Sequence, residues 1–66
     1  MNFPEILKNK RIERGLKQHQ LAKALTTSKQ CISAWENGDR YPTFILLLSL
    51  ADFFDCSLDE MVGRER

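Results

Sequence analysis

The stretch SKQCISAWENG, Ser28 to Gly38, gathers the side chains best suited to touching a partner. Lys29 offers an ammonium donor, Gln30 an amide that both donates and accepts, Ser28 and Ser33 hydroxyls, and Ala34 a small methyl group. At about 100° per residue, Ile32 and Trp35 share one face of a helix, and Lys29, Gln30, Ser33 and Ala34 are left on the other. Short or hydrogen-bonding side chains on an open helix face suit the edges of bases in a DNA major groove, which is wide enough to admit a helix. The same pattern also describes an ordinary solvated face, and the stretch alone does not choose between them.

Catalysis has no comparable constellation. His19 lies between Gln18 and Gln20 with no second histidine in the chain, and reads as a surface side chain. Cys31 and Cys56 are too distant for a metal knuckle and cannot complete a zinc set with one histidine, so they read as two thiols, Cys31 a small packing residue. A glycine-rich phosphate loop, a paired-carboxylate cleft and a nucleophile elbow are all missing. No enzyme, metal or cofactor is expected.

The elements that must hold Ser28–Gly38 are helices. Asn2 with Glu5 reads as a capping box, Pro4 fits the first turn, and Ile6, Leu7 and Ile12 give a first helix its apolar side, from about Phe3 to Arg14 with Gly15 as its stop. Leu21, Ala22 and Leu25 give a second helix, about Gln18 to Leu25. Ser28 caps a third, about Lys29 to Asn37, which ends at Gly38. Thr43 caps a fourth, about Phe44 to Phe54, and the pair Ser57 and Glu60 opens a short fifth to about Val62. With only Thr26-Thr27-Ser28 between them, the second and third helices must cross steeply, and Ala22 is the small residue where they touch. Ile32 and Trp35 are covered by Leu21, Ala22 and Leu25.

Size and charge narrow the classes further. Sixty-six residues make one domain, residues 1–66, close to the lower limit for a self-sufficient core. No run approaches the roughly 18 apolar residues of a membrane span, and the N-terminus lacks the features of a signal peptide, so a cytoplasmic location without membrane attachment is expected. Net charge is +1, but residues 1–40 hold eight Lys and Arg against four Asp and Glu, while residues 41–66 hold two against five. That split is compatible with a polyanion on the N-terminal side.

Taken together, Gln18-x-x-Leu21-Ala22, Ile32-Ser33-x-Trp35-Glu36-Asn37-Gly38, Pro42, Leu50-Ala51 and Ser57-Leu58-Asp59-Glu60 resemble the lambda-repressor and Cro-like helix-turn-helix family, often called the Xre family. The likeness runs from about Leu7 to Met61. It implies an all-α, compact five-helix lambda-repressor-like domain whose helices 2 and 3 form the helix-turn-helix. The family's base-reading positions fall on Ser28, Lys29, Gln30, Ser33 and Ala34. Its phosphate-gripping positions fall on Gln18, with the start of the second helix, and on Asn37 and Arg40, with Lys17 beside them. Arg11 and Glu36 match a structural ion pair. Three positions depart from the pattern. Thr26 stands where glycine is usual in the turn, Lys17 replaces the usual cap of the second helix, and Asp39 puts an acid where a basic or neutral residue is common.

The implied function is sequence-specific binding of double-stranded DNA by a transcriptional regulator, a repressor where its operator overlaps a promoter. In the fourth helix, Phe44, Leu47, Leu48, Ala51 and Phe54 fall within about 120° of arc and form the expected core face. Leu46, Leu50 and Phe53 then make a second apolar stripe, the expected interface of a homodimer reading an inverted repeat. The other reading of that stripe makes Leu50 core and has the fifth helix cover Leu46 and Phe53. Two alternative functions share the fold: a DNA-binding antitoxin that uses the stripe on a toxin, and a protein-interaction module that has lost DNA binding.

Overall fold

Each helix begins and ends on a local signal. In a computed structural model describing residues 2–64, α1 is Phe3–Glu13, α2 Gln18–Ala24, α3 Lys29–Asn37, α4 Phe44–Phe53 and α5 Leu58–Val62, with no strand among the described residues. The side chains of Asn2, Ser28, Thr43 and Ser57 accept the backbone N–H three residues on, from Glu5, Cys31, Leu46 and Glu60, at 3.0–3.3 Å. Each satisfies one of the donors that a helix start leaves without an intrahelical partner. Lys17 cannot do this. There Gln20 reaches back instead, and its Oε1 accepts the Lys17 N–H at 2.8 Å.

All five helices end in the same way. The N–H of Leu16, Thr27, Asp39, Cys56 and Arg64 returns to the carbonyl five residues earlier, at 2.8–3.1 Å. The residue just before each of those donors is left-handed, as this closure requires. It is glycine at Gly15, Gly38 and Gly63, but Thr26 (φ 57°) and Asp55 (φ 54°) elsewhere. Asp tolerates that region, whereas a β-branched residue is strained in it. The departure at Thr26 thus has its physical cost. Thr26→Gly is expected to stabilise the fold by about 0.5–1 kcal/mol, the left-handed penalty less the entropy of glycine. Urea midpoints read this directly, and an unchanged or lower midpoint would show Thr26 to be unstrained.

These turns fold the helices onto one core. Leu7, Leu21, Ile32, Leu50 and Met61, one from each helix, are fully buried, and Phe3, Ala22, Leu25, Trp35, Ala51 and Phe54 surround them. The Ile12 side chain, expected on the apolar side of α1, lies in solvent. Arg14 stitches α1 to the end of α4: its guanidinium donates to the carbonyls of Phe53 and Phe54 at 3.4 and 3.2 Å and lies over the Phe54 ring. The Lys10 ammonium donates to the Glu60 carboxylate, tying α5 to α1 and holding the Lys10 amine above its ordinary range.

α4 is turned away from its expected phase. Leu50, Ala51 and Phe54 are buried, and Leu46, Leu47 and Phe53 are half-buried against the core. Phe44 and Leu48, expected inside, are exposed together with Ile45. At about 100° per residue the true core face lies roughly 80° from the expected one. The proposed interface stripe of Leu46, Leu50 and Phe53 is therefore corrected. Leu50 has no surface left to offer, and Leu46 and Phe53 are engaged by the core. Met61, with no side-chain exposure, fills the centre from α5.

Candidate nucleic-acid interface

The α2–α3 turn presents the outward face of α3 as expected. Ile32 and Trp35 are buried under Leu21, Ala22 and Leu25, which fixes the rotation of the helix about its axis. Lys29 and Gln30 stand exposed, Ser33 and Ala34 half-buried behind them. With Asn37 and Asp39 they line an open concavity of about 370 Å³. Its rim carries donors of both kinds, cationic and amide, and its floor is small. Asp39, beyond the left-handed Gly38, brings the one carboxylate into the concavity. The sequence showed that Asp39 was an unusual residue, but not that it shares a surface with Lys29 and Gln30.

Behind this face lies a polar network. Arg11 Nε donates to Glu36 Oε2 at 2.6 Å and Nη2 to Oε1 at 3.1 Å, while Nη1 reaches the Leu16 carbonyl at 2.7 Å. Gln18 Nε2 donates to the same Glu36 Oε1 at 3.1 Å. One carboxylate thus joins α1, α2 and α3, and Arg11 extends the link to the α1–α2 turn. Sequence reading paired Arg11 with Glu36 but gave Gln18 a phosphate. The structure commits one amide hydrogen of Gln18 to Glu36 and leaves its other N–H and its Oε1 for a further partner. Only the general knowledge that long side chains bridge helices pointed to this link, because the residues are 18 apart in sequence.

Lys17, Asn37 and Arg40 are exposed around the concavity and the start of α2, as is His19. Cys31 is half-buried on the core side of the first turn of α3. The Ser28 and Thr27 side chains hydrogen-bond to its thiol and hold it below its ordinary range. Among the described residues, no group of three His, Cys, Asp or Glu is placed to hold a metal, and no helix is long and apolar enough to cross a membrane.

Known proteins share this arrangement. A sequence model described as helix-turn-helix matches residues 7–61. The HTH-type transcriptional activator BcrR of Enterococcus faecalis is 38% identical over 65 residues, which are 98% of this chain but 32% of that protein. The chain thus spans about a third of the length of that curated relative. A transcriptional regulator from Listeria innocua superposes with a TM-score of 0.90 at 34% identity, over 97% of this chain and 60% of the other. The P22 c2 repressor, solved in complex with a synthetic operator, superposes with a TM-score of 0.91 at 26% identity, over 98% of each chain.

Proposed function

We propose that this chain, which belongs to the helix-turn-helix family, binds duplex DNA sequence-specifically and regulates transcription, reading the major groove with α3 as a homodimer. The observation that carries this is the concavity on α3, where Lys29, Gln30, Ser33 and Ala34 line one open surface. Lys29 donates to guanine O6 and N7, Gln30 pairs with adenine N6 and N7, and Ala34 meets a thymine methyl, with Ser28 and Ser33 as hydroxyl partners. Lys17, Gln18, Asn37 and Arg40 flank them and hold phosphates, which sets register but carries no sequence.

Two copies reading an inverted repeat lie about one helical turn, roughly 34 Å, apart on one face of the duplex. Repression follows where that operator overlaps a promoter, because bound protein and polymerase exclude each other. Among the similar proteins, one is named an activator and another a repressor. The position of the operator decides between these outcomes on the same fold.

Selection of sites from random duplex DNA, at one fixed salt concentration, tests the reading. An enriched inverted repeat is the expected result; an unenriched pool would end it. On the selected site, Lys29→Ala or Gln30→Ala is expected to cost about 1–3 kcal/mol and to relax preference at one base pair. Lys17→Ala or Arg40→Ala is expected to weaken all sequences alike and to lower the salt slope by about one. Equal losses on every sequence from both sets would move base reading away from α3.

A further inference from the structure

Asp39 is the one carboxylate on the concavity that Lys29, Gln30, Ser33, Ala34 and Asn37 also line. The backbone fixes its place there. Gly38 turns left-handed at φ 81°, and the N–H groups of Asp39 and Arg40 return to the Ala34 carbonyl at 2.9 and 3.4 Å. The chain therefore doubles back on the last turn of α3, and Asp39 sits beside Ala34 instead of trailing away from the helix. Arg40, the next residue, is outside the lining of the concavity. The Asp39 side chain is exposed, and among the described residues no group donates to its carboxylate. We propose that Asp39 is a specificity-determining residue, which accepts a hydrogen bond from the N4 amino group of a cytosine in the major groove.

The proposal rests on the reading of DNA by α3 above and adds one base contact to it. A carboxylate carries acceptors only. Brought against a polyanion, it must find a donor or oppose binding. The major groove offers donors on two bases, adenine and cytosine. Adenine sets its N6 amino group beside the N7 acceptor, an edge that matches an amide and repels the second oxygen of a carboxylate. Cytosine presents its N4 amino group with no acceptor of its own beside it. Guanine O6 and N7 and thymine O4 are acceptors, so both of those bases are penalised. Lys29 and Gln30 carry donors and suit guanine and adenine. Asp39 adds a charged acceptor to the same surface, and bonds to a charged partner are the stronger kind.

Selection of sites by the wild type and by Asp39→Asn, at one fixed salt concentration, tests the assignment. The wild-type motif is expected to hold a cytosine at a position whose preference survives Lys29→Ala and Gln30→Ala. Asparagine pairs with adenine N6 and N7, so Asp39→Asn should move the preference at that position from cytosine to adenine. Its affinity for the wild-type site should fall about tenfold, the loss of one charge-assisted bond. A cytosine analogue without the amino group, placed at that position, should cost the wild type about tenfold and the variant little, because the two changes remove the same contact. If Asp39→Asn tightens binding to every sequence alike and keeps the wild-type motif, the carboxylate faces phosphates and the assignment is overturned. An analogue that weakens both proteins equally would overturn it too. An enriched motif without such a cytosine ends this assignment alone, whereas an unenriched pool ends it together with the reading of DNA by α3.

Discussion

Arg11→Met is expected to leave much of the chain unfolded at physiological temperature. Glu36, with 3% of its side chain exposed, accepts two hydrogen bonds from Arg11 and one from Gln18. Methionine keeps much of the packing volume of the arginine stem but strands a buried carboxylate with one amide donor. Breaking such a pair costs about 3–5 kcal/mol, and a chain of this length has roughly 3–10 kcal/mol in total. The Leu16 carbonyl loses its partner as well, which loosens the turn before α2. Adding Glu36→Leu to Arg11→Met should return most of the loss, because replacing both members of a buried pair is often neutral. Urea denaturation of the two variants checks this. A single substitution costing under about 1 kcal/mol would mean that water reaches Glu36 and that the network is ornamental to the fold.

Leu50→Ala carries the second large effect. Leu50 is fully buried, and truncating such a side chain costs about 2–5 kcal/mol through lost transfer energy and the cavity left behind. Ile45→Ala, in the same helix with three-quarters of its surface exposed, should change stability by less than about 0.5 kcal/mol. The contrast also separates two phases of α4. With Leu50 on an interface, its truncation would lower dimer affinity and spare the melting temperature. With Leu50 in the core it lowers the melting temperature, and the size of the loss is independent of protein concentration. Thermal melts at two concentrations tell them apart, and a mild, concentration-dependent loss would restore Leu50 to the interface.

That contrast shows where sequence reading works here. α3 was legible because its polar and apolar residues differ sharply: Ile32 and Trp35 define the inside, and Lys29 and Gln30 are exposed as expected. The helix starts were legible because Asn, Ser and Thr cap by a short-range bond that needs no tertiary contact. α4 was not, since FILLLSLADF is apolar almost all round, and periodicity has little to grip. Its one charge held the signal: Asp52 is exposed, and the buried Leu50 and Phe54 lie on the opposite side. The Gln18–Glu36 bond and the Arg14 bonds to Phe53 and Phe54 depend on how helices come together, which local patterns do not encode.

The shared closure of all five helix ends has a calorimetric consequence. At both ends α3 adjoins a turn closed by a left-handed residue and a returning N–H. On the proposed reading of DNA by α3, a surface already ordered in the free protein gives up little conformational entropy on association. Its heat-capacity change should then follow the area of the contact alone, without the larger negative value that accompanies folding upon binding. On that same reading, adjustment at a poor site would fall to the duplex, so that the stiffness of the DNA sequence, through bending and twisting, would join direct contacts in setting discrimination.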